Sequence, residues 1–193
     1  VQSGDSIGAG LGAGDWAAID HLGFAASVAI HNVSASGLAL QTGYGQREVE
    51  LFPFQDDRVP SVLLLQRGSN DLYYGTGGQL LYDAVLIPFV SSAHDAGFYV
   101  VVDTVLPRAD GGWTPTMEQQ RLAYNALVRR NAAGADAVND IAADAVIGEG
   151  TSPAGSPYYA DAVHLTLAGQ QRLATLNAAV LARFLQLPPR TRR

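Results

Sequence analysis

The chain contains neither cysteine nor lysine in its 193 residues. Without cysteine there are no disulfides, no thiolate metal sites and no cysteine nucleophile, and the redox compartment is left open. Without lysine there is no P-loop, no Schiff base and no lysine general base. All twelve cationic side chains are arginine, which reads as compositional bias rather than a functional device. Positive charge is scarce as well. The formal net charge of −6 argues against nucleic acid as the main partner, because neutralising phosphates takes basic patches. No apolar run approaches the ~18 residues of a membrane-spanning helix. No signal peptide is visible, yet the chain opens on Val1 rather than Met. The expectation is that residues were removed or left out upstream, with a secreted or periplasmic location favoured over a cytoplasmic one.

What is present reads as a globular protein: 48% of residues are hydrophobic and 16% charged. The length suits one domain, taken as residues 1–187, with an arginine-rich tail at 188–193 expected to be a solvated end. Residues 1–5 are the end of a strand leading into a glycine-rich turn. Asp15 is placed to cap a short helix over residues 16–22. Residues 27–32 read as a second strand, and 38–50 as a weakly patterned helix. Ser61–Gln66 and Phe98–Val102 are continuous apolar runs of strand length, the pattern of strands buried on both faces. Between them, Leu80, Leu81, Ala84, Val85 and Phe89 recur at helical spacing, with Pro88 a source of a kink. Thr114 or Thr116 caps a helix carrying Leu122, Ala123, Leu127 and Val128. Residues 137–140 form a fifth strand candidate, and a last helix covers 166–186. Strands and helices thus alternate. This predicts a three-layer α/β/α domain with a five-stranded, mostly parallel sheet, flavodoxin-like in its order 2-1-3-4-5.

In such a sheet ligands sit outside the carboxyl ends of the strands. Ser6, Gly37 and Asn70 each follow a strand candidate and should gather on one rim. A serine hydroxyl is a poor nucleophile until a base takes its proton. His164 is the candidate base, and Asp161, three residues earlier, can turn back to the other ring nitrogen, fix the tautomer and stabilise the imidazolium. A developing oxyanion needs donors, and the backbone N–H groups of Ser6 and Gly37 and the side-chain amide of Asn70 are available.

These residues carry a resemblance. Gly4-Asp5-Ser6, Asn32 through Ser36-Gly37, Gly68-Ser69-Asn70-Asp71 and Asp161-Ala162-Val163-His164 resemble, in order, the four blocks of the SGNH hydrolases, the GDSL-type esterases and lipases. The resemblance spans residues 4 to 164; no single block is specific, but four in order are. It implies Ser6, Asp161 and His164 as catalytic triad, and Ser6, Gly37 and Asn70 as oxyanion hole. It also implies esterase, lipase, thioesterase or carbohydrate deacetylase activity with no cofactor and no metal. Ile7 stands where the family has Leu, Leu165 where it has Pro, and only Val1-Gln2-Ser3 precede the first block.

Other readings are weaker. Gly4-Asp5-Ser6-Ile7-Gly8 fits the G-x-S-x-G nucleophile elbow, but that fold needs strands before it. Gly8-Ala9-Gly10-Leu11-Gly12-Ala13 imitates a dinucleotide fingerprint without its strand-to-helix setting or acidic residue, and reads instead as a loop at the site's mouth. His21, His31 and His94 lack metal-ligand spacing. Asp71 reads as a structural partner of its loop. Tyr73, Tyr74, Trp113, Tyr158 and Tyr159 either line a substrate groove or pack under loops. The expected partner is a small-molecule or glycan ester, with acetyl or another short acyl group because no long apolar lid is evident. A carbohydrate O-deacetylase and a non-catalytic binding module on the same scaffold are the alternatives.

Overall fold

The computed structural model of the chain describes residues 1–14, 16–24 and 28–192. Strands β1 (Gln2–Gly4), β2 (Ser61–Gln66), β3 (Phe98–Asp103) and β4 (Ala137–Asn139) pair in the order β1-β2-β3-β4, all parallel. The helices are α1 (Leu40–Glu50), α2 (Ser69–Tyr73), α3 (Gly78–Leu81), α4 (Ile87–Asp95), α5 (Pro115–Arg130) and α6 (Leu167–Leu181).

The period of two along a strand sorts the apolar runs onto two faces. Leu63, Leu65, Val100 and Val102 point to one side, where they pack with Leu40 of α1, Phe89 and Val90 of α4, and Tyr124 and Val128 of α5. Leu64, Val101 and Ala137 point to the other, against Val180 and Leu181 of α6 and Ile19. A third cluster, including Ile7, Leu106, Tyr159, Leu165 and Leu173, lies under the loops that carry the candidate site. The result is the expected α/β/α arrangement, with four strands among the described residues rather than five.

The missing strand is the stretch read over residues 27–32. Asn32 makes one parallel bridge with Gln2; Gln2 N–H donates to the His31 carbonyl at 2.8 Å, and Val33 N–H to the Gln2 carbonyl at 3.0 Å. The segment therefore lies outside β1, where the predicted order puts it. It does not extend because β1 is only three residues long and offers too few partners for a ladder. Ser27, the cap at Asp15 and Arg193 fall outside the described residues. The helix expected over 16–22 is a single 3₁₀ turn, Ala18–His21.

Three local details have clear causes. Thr114 caps α5, its hydroxyl accepting the Met117 N–H. The stretch between α3 and α4, Tyr82–Leu86, is a π-helical turn ending two residues before Pro88. Proline has no N–H for the carbonyl four residues back and its ring presses on that carbonyl, so a wider turn relieves the conflict. The tail is mostly exposed, as expected of a solvated end, but it is tied to the sheet: Tyr99 O–H donates to the Pro188 carbonyl at 2.9 Å, and Arg190 donates to the Phe98 carbonyl and to Asp136.

Candidate active site

Ser6 sits one residue beyond Asp5 at the carboxyl end of β1, in a run of tight turns. Ala9 N–H donates to the Asp5 carbonyl, Gly10 N–H to Ile7 and Leu11 N–H to Ser6. The turn is bolted from three directions. Gln2 and Asn32 both donate to the Gly8 carbonyl, and Gln170 of α6 donates to the Ile7 carbonyl at 2.7 Å while accepting the Ala18 N–H. Asp5 is buried and accepts the Ile7 N–H at 2.9 Å. Burial pushes its carboxyl up to about 6, opposed by that hydrogen bond and the nearby Arg67 charge.

His164 comes to this turn from the loop before α6. That loop is pinned by Ala160 N–H donating to the His164 carbonyl and by Ala109 N–H donating to Ala162. Gly12 is the place where the two loops touch. Its φ is +92°, and a Cβ there would stand 2.8 Å from the Leu165 carbonyl oxygen and 2.9 Å from His164 Cβ, so only glycine fits. The glycine-rich stretch is thus a packed support for the histidine.

Ser6 Oγ lies 2.9 Å from His164 Nε2, and His164 Nδ1 lies 2.7 Å from Asp161 Oδ2. The other carboxylate oxygen of Asp161 accepts the backbone N–H groups of Val163 and His164, both at 2.7 Å. Burial alone would raise the Asp161 carboxyl. The hydrogen bonds from the His164 ring and from the two backbone donors outweigh it and hold the group below the ordinary carboxylate range. Asp161 therefore stays ionised and faces a protonated Nδ1, which leaves Nε2 free to accept from the Ser6 hydroxyl.

The candidate oxyanion donors share the same cleft: Ser6, Gly37, Asn70, Asp161 and His164 line it together with Ser36, Arg108, Asp110, Ala162 and Val163. Among the described residues nothing accepts the backbone N–H of Ser6 or of Gly37. Gly37 has φ +79° and open space where a Cβ would be, so backbone conformation rather than crowding calls for glycine here. Asn70 lies on α2 rather than in a plain turn. One N–H of its amide donates to the Leu38 carbonyl at 3.0 Å, and the other is unspent. Asp71 is structural: its two oxygens accept the Leu40 and Gln41 N–H groups and cap α1 from across the rim.

All five predicted site residues are therefore brought together. The residues that sequence reasoning missed are Gln170, Arg108 and Asp110. The last two follow β3 on the same rim, and that position was the available signal. None of the five singled-out aromatics lines the cleft. Tyr159 is core, its hydroxyl donating to the Ile147 carbonyl, and Tyr73 packs beneath Arg108. Most lining residues are polar in type, with Ala162 and Val163 the wholly apolar side chains, but carbon atoms make up the larger part of the surface they present. Among the described residues no three or more His, Asp or Glu are grouped to hold a metal ion.

No family model and no curated protein matches the chain. Solved structures do. TesA aligns at a TM-score of 0.71 with 22% identity, over 95% of this chain and 98% of that one. A lipolytic protein of the G-D-S-L family from Veillonella parvula aligns at 0.72 with 17% identity, over 94% and 97%. The psychrotrophic esterase EstA from Pseudoalteromonas sp. aligns at 0.62 with 15% identity, over 96% and 97%. At these identities the likeness is one of fold: the chain has the fold of the SGNH, or GDSL-type, hydrolases.

Proposed function

We propose that the protein is a serine esterase that hydrolyses carboxylic esters of short acyl groups through an acyl-enzyme intermediate. The observation that carries the reading is the unbroken chain of hydrogen bonds from Ser6 Oγ to His164 to Asp161, open to a cleft. Ser6 Oγ attacks the ester carbonyl while His164 Nε2 takes its proton, and Asp161 stabilises the imidazolium that forms. The negative charge that grows on the carbonyl oxygen is met by the Ser6 N–H, the Gly37 N–H and the free N–H of Asn70. His164 then delivers its proton to the departing alkoxide. A water molecule, deprotonated by the same nitrogen, attacks the acyl group and releases the acid with Ser6 restored. Each proton taken is returned, so the residues named complete the cycle.

The cleft supports the short-acyl part. No leucine, isoleucine, methionine or phenylalanine lines it, so there is no deep sleeve of long apolar side chains to reward each added carbon with the ~0.8 kcal/mol that burying it would contribute. Its polar rim, with Ser36, Arg108 and Asp110, also favours a polar alcohol, and O-deacetylation of a carbohydrate is the second reading. The test is hydrolysis of p-nitrophenyl acetate, butyrate and octanoate beside acetylated oligosaccharides, by the protein and by Ser6→Ala. Turnover that is highest for acetate and vanishes in Ser6→Ala is expected. Faster release from the oligosaccharides selects the deacetylase. Turnover that survives Ser6→Ala overturns the mechanism, and a protein inert on every ester is the binding module.

A further inference from the structure

Arg108 lies at the edge of the cleft with only 10% of its side chain exposed, and its three nitrogens are used in an uneven way. Nε and Nη2 form a fork onto the two oxygens of Asp110, at 2.6 and 2.8 Å. The flat face of the guanidinium lies 4.0 Å from the centre of the Tyr73 ring, with Trp113 at 5.7 Å. This holds the group in one plane and one orientation, and it spends the charge on Asp110 rather than on the cleft. The remaining nitrogen, Nη1, is aimed at Asn70 Oδ1 at 3.4 Å.

The consequence concerns which way round the Asn70 amide sits. Its oxygen can only accept and its nitrogen can only donate, while arginine only donates and a backbone carbonyl only accepts. Arg108 at one end and the Leu38 carbonyl at the other therefore agree on a single orientation. A flipped amide would set N–H against guanidinium and oxygen against oxygen. In the orientation both neighbours favour, the second N–H of Asn70 is the one left for the cleft. We propose that Arg108 is a positioning residue: clamped by Asp110 and Tyr73, it locks the Asn70 amide so that an N–H faces the site where the oxyanion forms. The proposal rests on the serine-esterase reading for the purpose of that donor; the contact itself does not depend on it.

Toward a simple aryl ester, whose alcohol makes no polar contact with the rim, Arg108 acts through Asn70, so its removal affects the transition state and not the affinity for that substrate, and it has no effect once Asn70 is gone. The experiment compares Arg108→Met, which keeps an apolar stem over Tyr73 but no donor, in the wild-type and Asn70→Ala backgrounds, with p-nitrophenyl acetate as substrate. The expected result is a fall in kcat of about tenfold with KM within about twofold in the wild-type background, and a change below about twofold in Asn70→Ala. Equal losses in both backgrounds, or a loss carried by KM, overturn the proposal, as does no loss at all. A second readout needs no turnover. The side-chain amide protons of Asn70, assigned by their disappearance in Asn70→Ala, should exchange with water faster in Arg108→Met than in wild type. If that exchange is unchanged, the lock does not exist. Loss of Ser6 dependence, by contrast, would sink the esterase reading while leaving the exchange measurement to decide the contact.

Discussion

Asp103 closes β3 inside the protein, with 2% of its surface exposed, and offers a test of how the buried polar layer behind the site is protonated. One carboxyl oxygen accepts from Asn139 Nδ2 at 3.0 Å, and that amide also donates to Asn177. The other oxygen has no hydrogen-bond partner among the described residues. Burial pushes the carboxyl up to about 8, against the smaller opposing effect of the Asn139 bond. In the unfolded chain the same group titrates at roughly 3.9. Between about pH 4 and pH 8 the native state thus keeps a proton that the unfolded state has released. Stability is greatest below the unfolded value and is lost as pH rises, with a slope approaching 1.4 kcal/mol per pH unit and flattening above about pH 8. Over the whole window the loss is on the order of 5 kcal/mol as an upper bound. Asp103→Asn has nearly the same shape and nothing to titrate, so its stability should lack this slope. The assay is urea unfolding at pH 5, 6, 7 and 8, followed by fluorescence. Asp5, pushed up to about 6 in the native state, adds a slope of the same sign between about pH 4 and 6, but it is present in both proteins and cancels in their difference. The gap should move in favour of Asp103→Asn by roughly 1 kcal/mol per pH unit between pH 5 and 7. A gap that does not change with pH would show that Asp103 is ionised in the fold and refute the reasoning.

Two further substitutions probe how the site is held. Gly12→Ala forces a left-handed backbone and a close contact onto the His164 loop, so kcat should fall at least tenfold while circular dichroism stays near wild type; full activity would mean the loop is not packed as described. Arg121, with 1% of its side chain exposed, donates to the Val105 carbonyl and to Glu118, which keep Asn125 and Trp113 as other donors, so Arg121→Met removes charge-assisted bonds without orphaning their acceptors and should cost about 1–3 kcal/mol in urea unfolding; no measurable loss would contradict that role.

The strands most legible in the sequence were those whose burial is dictated locally. Ser61–Gln66 and Phe98–Asp103 are apolar on both faces because helices cover both, and nothing else in the chain competes for that pattern. The stretch to Asn32 looked equally strand-like, but a strand is a property of a pair, and its neighbour β1 supplies three residues. The start of α1 shows the opposite failure. Ala39 is no cap, and the carboxylate that satisfies the first N–H groups belongs to Asp71, far along the chain. That Ser6, Gly37, Asn70, Asp161 and His164 would gather on one rim was legible because the first three follow strand candidates of a parallel sheet and the last two stand three residues apart. Gln170 was not: a glutamine inside a helix carries no signal that it will reach the Ile7 carbonyl. Arg108 and Asp110 belong to no motif, and only the ring of Tyr73 and the amide of Asn70 beside them give them a place at the site.

The claim on which the account turns is that the Ser6 hydroxyl is a nucleophile activated by His164. Its most direct test is covalent capture. The protein and its His164→Ala variant are treated with an alkyl fluorophosphonate, and the adduct is located by intact mass and peptide mapping. The account predicts a single adduct, on Ser6, formed by the wild type and slowed by several orders of magnitude in His164→Ala. An adduct elsewhere, or labelling of Ser6 at the same rate without His164, would contradict it.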